Sequence, residues 1–330
     1  MKNIIIIIVI TVIAVIQATE ARAQQVSLSI SPPLLEVAIK PGKSILIAYT
    51  LRNYGDPTIL KARILPFEPL GSTGNIKIKN ELEGPIQFFL DNADFNLGQP
   101  FFLKSADSQQ LLLRIKAAEG TPEGDYYYTL LNETEPSAGL SGVSLSQAKA
   151  TLGSNILITV TESGKIDIQG KISLFDVISR YSFSFFGRQL KLFDSSDLIP
   201  VTIQVENRGK NFIKPEGQIE LRGNFGEKAE YSIIPKNILS ESQRLLSATP
   251  SAALDCEDKK NNKLCKSPVS LLISGFFIGS YKLSTTVSFG DGSPNLYASA
   301  SFIALPLKLI LGVLTTFILG FFLIIKMRKS

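Results

Sequence analysis

The 330-residue chain contains no histidine and no tryptophan, and only two cysteines and two methionines. Without histidine there is no ordinary general base near neutral pH, no Ser-His-Asp triad and no common zinc site. The two cysteines, Cys256 and Cys265, sit too close together and are too few to staple a small disulfide-rich fold. The chain has no glycine-rich phosphate loop and no basic stripe interleaved with aromatics. Charge of one sign is also scarce where it would matter. The net charge is +5, but Lys2 and Arg22 near the start and Lys308, Lys326, Arg328 and Lys329 near the end carry the excess. What lies between is close to neutral, so the basic balance reports orientation at a membrane, and no nucleic-acid partner is expected.

Long hydrophobic runs are present, and both lie at the ends. Leu309–Ile325 is uncharged and, as a helix, covers about 25 Å, which Ile303–Leu307 and the stem of Lys308 extend toward the ~30 Å of a bilayer core. Lys326-Met327-Arg328-Lys329-Ser330 follows, a basic stub of the kind retained on the cytoplasmic side. At the other end, Met1-Lys2-Asn3 precedes the apolar run Ile4–Ile16 and the small-residue site Ala21-Arg22-Ala23. This is the layout of a secretory signal cleaved between Ala23 and Gln24; an uncleaved first membrane helix is the alternative. In either case about 280 residues lie outside the cytoplasm, enough for two β-sandwich modules.

The middle of the chain reads as strands. Ile45, Ile47, Tyr49 and Leu51 alternate, as do Leu111, Leu113 and Ile115, and Val201, Ile203 and Val205. Gly, Asn, Asp and Pro punctuate these runs. The sequence predicts an edge strand interrupted at Pro32-Pro33, a long loop over 132–150, a linker at 162–164, a strand over 166–172 and a hairpin at Asp291-Gly292. The stretch 173–198 is rich in phenylalanine and shows no single period.

A repeat organises the two halves. A strand ends in Asn-x-Gly at Asn53 and Gly55 and again at Asn207 and Gly209; a late strand opens with Gly-x-Tyr at Gly124 and Tyr126 and again at Gly279 and Tyr281. From Asn to Tyr the interval is 73 residues in one half and 74 in the other. Tandem sandwiches of one type explain the match. Asn and Gly would supply the positive φ of a tight turn, and the Tyr hydroxyl would return to the backbone and pin the late strand. These are fold-holding roles.

Residues that could carry chemistry are few. Cys256 and Cys265 bracket a short loop, readable as a local disulfide, as free thiols, or as the edge of a calcium loop holding Asp255, Glu257, Asp258 and Asn261. Lys259, Lys260 and Lys263 oppose the calcium reading. The carboxylate pairs Glu81/Glu83, Glu133/Glu135 and Asp194/Asp197 have no spacing that places them across a cleft. Asn132-Glu133-Thr134 is a glycosylation sequon only in a eukaryotic host. Leu305-Pro306-Leu307-Lys308 has the layout of a wall-sorting signal but lacks the Thr-Gly such a signal needs. No catalytic residue, metal or cofactor is expected, and the Phe-rich pieces 88–102 and 175–193 are the candidate contact surfaces.

With its leading signal, SISPPLLEVAIKPGKSILIAYTLRNYGD, TPEGDYYYTLL, IPVTIQVENRGKNFIKPEGQIEL, FIGSYKLSTTVSFGDG and a final helix with a basic stub, the chain resembles the WxL-interacting proteins of bacterial cell surfaces. The resemblance implies two immunoglobulin-like domains and one C-terminal transmembrane helix, the first domain associated with peptidoglycan and the second with a protein partner. The expected plan is all-β: a signal over 1–23, one sandwich over 24–164, a membrane-proximal sandwich over 165–303, a membrane helix over 304–325 and a tail over 326–330. The expected function is that of a non-enzymatic, single-pass surface binding or scaffolding protein at the plasma membrane, its ectodomain outside. The alternative is an envelope assembly accessory, akin to a pilus chaperone, that acts by strand addition.

Overall fold

The computed structural model describes residues 25–135, 149–179, 181–185, 188–249, 269–290 and 293–329. The signal and its cleavage site at Ala23 and Gln24, both cysteines with the loop between them, and Asp291-Gly292 lie outside the described residues. The fold is mostly β and immunoglobulin-like, with a single helix among the described residues. It divides into two units, Met1–Pro66 with Lys79–Pro122 and Tyr126–Val160, and Phe67–Ile78 with Glu123–Asp125 and Thr161–Ser330.

Ten strands arise from the alternating runs of the first half: β1 (Leu28–Ser31), β2 (Leu34–Ile39), β3 (Ser44–Asn53), β4 (Thr58–Leu70), β5 (Asn75–Ile78), β6 (Ile86–Leu90), β7 (Pro100–Leu103), β8 (Ser108–Ala117), β9 (Gly124–Glu135) and β10 (Thr151–Val160). One sheet has the order β1-β3-β8-β6; the other has β2-β10-β9-β4-β5, with β7 also on β4. The chain crosses from the first sheet to the second at Pro32-Pro33, where the missing N–H groups end one ladder before the next begins. β2 then runs parallel to β10, from Leu34 opposite Asn155 to Ile39 opposite Val160. Tyr49, Leu51, Leu111, Leu113 and Ile115 from one sheet meet Leu60, Tyr128, Leu130, Ile156 and Ile158 from the other in a core closed to solvent. Truncating one of these leucines to alanine would cost about 2–5 kcal/mol.

The second half repeats the plan with β11 (Gly170–Val177), β12 (Tyr181–Phe185), β13 (Arg188–Asp194), β14 (Ile199–Asn207), β15 (Glu216–Gly223), β16 (Lys228–Ile234), β17 (Gln243–Leu245), β18 (Ser247–Ala248), β19 (Leu271–Ile273), β20 (Gly279–Ser288) and β21 (Leu296–Leu305). β11 pairs with β14 as β1 does with β3, and β13 runs parallel to β21 as β2 does to β10. β14 joins β19 as β3 joins β8. β15 binds both β16 and β20, as β4 binds β5 and β9. The repeat seen in four short motifs therefore extends to strand order and direction. Ile199, Val201, Ile203, Ile219, Leu283 and Phe302 belong to its core.

Two expectations shift. The first strand of the second unit begins at Gly170 rather than at 166. The loop expected from 132 does not start there, because β9 runs to Glu135 and carries Asn132, Glu133 and Thr134 within its ladder; 136–148 lie outside the described residues. Asn132 is fully buried, so the sequon cannot be an acceptor in the folded chain.

After β21 the chain passes Pro306 and enters the helix α1 (Leu307–Lys329). Its side chains are described over 307–321 and at Met327, and Leu309, Leu311, Leu314, Phe317, Leu319 and Phe321 are each more than half exposed. Among the described residues no helix is long and apolar enough to cross a membrane. The stretch 307–321 covers about 22 Å, short of the ~30 Å hydrocarbon core.

Candidate partner-binding edge

The two Asn-x-Gly signatures form the same corner twice. Asn53 is buried at the end of β3; its amide Nδ2 donates to the carbonyls of Asp56 at 2.8 Å and Lys104 at 3.1 Å, and its Oδ1 accepts from Gly55 N–H at 2.9 Å. Asn207 does the same at the end of β14, donating to Asn211 at 2.8 Å, Leu239 at 3.0 Å and Ile238 at 3.1 Å, and accepting from Gly209 N–H at 3.0 Å. Each amide ties a strand end to a second chain segment. The glycines are there for a different reason than a positive φ, which neither adopts. A Cβ on Gly55 would stand 2.2 Å from the carbonyl oxygen of Gln25, and one on Gly209 2.3 Å from that of Asp167, so the backbone leading into β1 or β11 fills the space a side chain needs. Left-handed φ is instead used at Gly124 (+142°) and Gly279 (+98°), which open β9 and β20.

The tyrosines that follow are not equivalent. Tyr126 donates to the Pro122 carbonyl at 3.0 Å, the expected return to the backbone, but its hydroxyl is exposed. The tyrosine buried on that strand is Tyr128, whose hydroxyl donates to Glu83 C=O at 3.1 Å and whose ring meets Phe88 edge-on. Tyr281 combines both roles. It is buried, stacks on Phe302, accepts from Ile278 N–H at 3.2 Å and donates to Glu227 at 3.2 Å.

The carboxylate pairs hold ion pairs. Glu133 meets Arg63 at 3.2 Å and Glu135 meets Lys61 at 3.5 Å; Glu83 pairs with Lys79. Asp194 and Asp197 converge on Lys308 at 3.0 and 3.7 Å. Ser196 Oγ, then the Lys308 ammonium and backbone N–H, hold the Asp194 carboxyl well below the usual carboxylate range against the opposing effect of burial. Among the described residues no group of acidic or sulfur side chains could hold a metal ion.

The Phe-rich pieces divide. Phe88, Phe101 and Phe193 are core residues, whereas Phe89, Phe102, Tyr181 and Phe183 are exposed. The exposed pair Tyr181 and Phe183 belongs to β12, which forms a hairpin with β13 and ends the seven-stranded sheet. Among the described residues the other sheet edges are short or blunted: β1 has four residues and meets Pro32, β7 has four and opens with Pro100, and β17 and β19 have three each. β2 carries Glu36 and follows two prolines, β5 carries Lys77, β11 carries Lys171 and Asp176, and β18 is two residues long. β6 is uncharged but is bounded by Pro85 and by Asp91, which is paired to Arg114. β12 reads Tyr-Ser-Phe-Ser-Phe, with no charge or proline, and Tyr181 to Ser184 are exposed on both faces. Behind it, Lys191 of β13 donates to Val177 C=O at 2.6 Å and pairs with Asp176, fixing the hairpin to β11. A firm hairpin with an open, alternating aromatic edge is the geometry that accepts an added strand.

No family model matches the chain, and no curated protein matches it. Among solved structures it is similar to the class 5 fimbriae chaperone CfaA, at 13% identity and a TM-score of 0.39, over 83% of this chain and 99% of that one. It is also similar to the E. coli chaperone DraB, at 12% and 0.37 over 84% and 98%, and to the SafB chaperone solved with the SafA pilin of Salmonella enterica, at 9% and 0.35 over 84% and 98%. Likeness at this level assigns no function.

Proposed function

We propose that this chain is a non-enzymatic envelope protein that holds an extended segment of an exported protein by strand addition, chiefly at β12. Its two immunoglobulin-like modules would stand outside the plasma membrane on α1 as a single-pass anchor. The observation that carries the reading is the uncharged aromatic edge of β12, where the other edges among the described residues are short, charged or bounded by proline. Main-chain hydrogen bonds would supply affinity, and Tyr181 and Phe183 would select apolar side chains at alternate positions of the incoming strand. The resemblance to WxL-interacting proteins supports surface display. Retention on peptidoglycan is what that resemblance adds to the reading. The membrane reading is supported by the uncharged run 309–325, the basic stub after it and the exposed apolar side chains of α1.

The test uses the full chain in nanodiscs against a library of seven-residue peptides that alternate apolar and polar positions. Bound peptides are expected to protect the amides of 181–185 from hydrogen exchange, and Ser182→Pro or Ser184→Pro, which removes an edge N–H, to abolish binding. Peptide binding that survives both prolines would refute the edge as the site.

A further inference from the structure

The end of the second sandwich from which α1 leaves exposes large apolar side chains, with Asp197, Glu227 and Lys228 beside them. Besides 178–179 after β11, strand register places three connections there. β21 ends at Leu305 opposite Asp194, so the connection from β13 to β14, residues 195–198, lies at that end. β20 begins at Gly279 opposite Ala304, which brings the 274–278 connection after β19 to the same level. Gly223 lies opposite Tyr281, which places the β15–β16 turn beside it. Each connection exposes a large apolar side chain: Leu198 at 41%, Phe276 at 68% with Ile278 at 44%, and Phe225 at 76%. The Phe225 ring lies 3.3 Å from where a Cβ on Gly279 would stand, which holds it against the strand below. The opposite end contrasts with this rim. Its 208–215 connection carries Arg208, Lys210 and Lys214, and Phe289 beside the β20–β21 connection is buried.

The helix is also locked to this end. Only Pro306 separates β21 from α1. Asp194 Oδ1 accepts the Lys308 backbone N–H at 3.1 Å, capping the first turn from another strand, while its Oδ2 meets the Lys308 ammonium at 3.0 Å. Ser196 Oγ lies 3.1 Å from the same ammonium, and Ser195 N–H donates to Leu305 C=O at 3.0 Å. A helix held in this way leaves the sandwich no slack to lift away from whatever the helix enters.

We infer that Leu198, Phe225, Phe276 and Ile278 form a foot that seats the second sandwich in the lipid interface, with the Asp194–Lys308 latch holding it down. The occupant is a bilayer surface because the rim surrounds the exit of a helix read as an anchor, and the inference rests on that reading. Phe and Leu side chains enter the boundary between headgroups and acyl chains, and the charges beside them, Asp197, Glu227 and Lys228, would stay among the headgroups.

The absence of tryptophan makes the test direct. Single tryptophans are placed by Phe225→Trp, Phe276→Trp, Phe317→Trp in the helix and Tyr297→Trp away from the rim, in the full chain reconstituted into vesicles with lipids brominated at several acyl depths. Trp at 225 and 276 is expected to show blue-shifted emission quenched best by shallow bromines, at a depth of about 5–10 Å. Trp at 317 should be quenched by deep bromines and Trp at 297 by none. Quenching at 317 without quenching at 225 and 276 overturns the foot while leaving the anchor. No quenching at 317 overturns the anchor, and the foot with it. A blue shift at 225 and 276 without bromine quenching assigns the rim to a protein partner and also overturns the lipid assignment.

Discussion

The two sandwiches follow one strand plan and differ in what they do with its margins. In both, an asparagine closes the second major strand, a glycine after it admits a neighbouring backbone, and a glycine with positive φ opens the late strand. Where the halves agree, the residues hold the fold. They part at the strand that runs parallel to the last one. In the first half β2 is itself the sheet edge, carrying a glutamate and guarded by prolines; in the second, β13 is continued outward by β12. The repeat therefore marks scaffold, and its departure coincides with the edge proposed for a partner.

That comparison can be broken most forcefully at the corners. Asn53→Ala and Asn207→Ala each leave buried carbonyls and an N–H without partners, so each should cost about 3 kcal/mol or more. Urea titration of both variants should show similar losses; a large loss for one alone would mean the corners are not equivalent. Gly55→Ala and Gly209→Ala push a methyl into a backbone carbonyl and should each cost about 1–3 kcal/mol in the same titration. The tyrosines sharpen the difference. Tyr281→Phe removes two hydrogen bonds at a mostly buried ring and should lower stability by roughly 1 kcal/mol, while Tyr126→Phe should stay within about 0.5 kcal/mol. Equal effects would contradict the unequal roles assigned to them.

The smallest expected effect is a divergence with pH. Burial pushes Tyr49 and Tyr128 of the first half up to about 12. A raised tyrosine stabilises the fold fully below the unfolded value of about 10, and that contribution fades as pH rises to the folded value. Asp194 of the second half is lowered by Ser196 and Lys308, so its contribution is complete above the unfolded value of about 4 and fades as pH falls. Hydrogen exchange followed by mass spectrometry should show the first core opening preferentially at high pH and the β13–β21 region preferentially at low pH. Asp194→Asn should remove the acid limb alone, and an unchanged acid limb in that variant would assign it to other carboxylates.

Much of this was legible in the residues. Alternation in 44–53, 108–116 and 199–207 placed the central strands, because one buried face imposes a period of two. Asn-x-Gly and Gly-x-Tyr marked real corners, although the reason for glycine at 55 and 209 depends on a backbone about 30 residues away, at Gln25, or about 40 away, at Asp167, and no local window contains it. The buried tyrosine of β9 was missed for a related reason. Tyr126, Tyr127 and Tyr128 are adjacent, and only the facing Phe88 and Glu83 carbonyl select Tyr128. The Tyr-Ser-Phe-Ser-Phe alternation was present within 173–198, but neighbouring phenylalanines hid it.

The sequence by itself determined the strand-rich composition, the doubling of the module, the exclusion of histidine chemistry and the segregation of apolar runs and basic charge to the chain ends. These follow from local side-chain properties and their spacing. Tertiary structure alone decided that β2 and β13 run parallel to the last strand of their halves, that β12 is left as an open edge, and that the connections bearing Leu198, Phe225 and Phe276 lie at the end from which α1 leaves. Those facts depend on which segments meet across long stretches of chain. Hydrogen-bond register and core packing settle that, and neither is written in any one stretch.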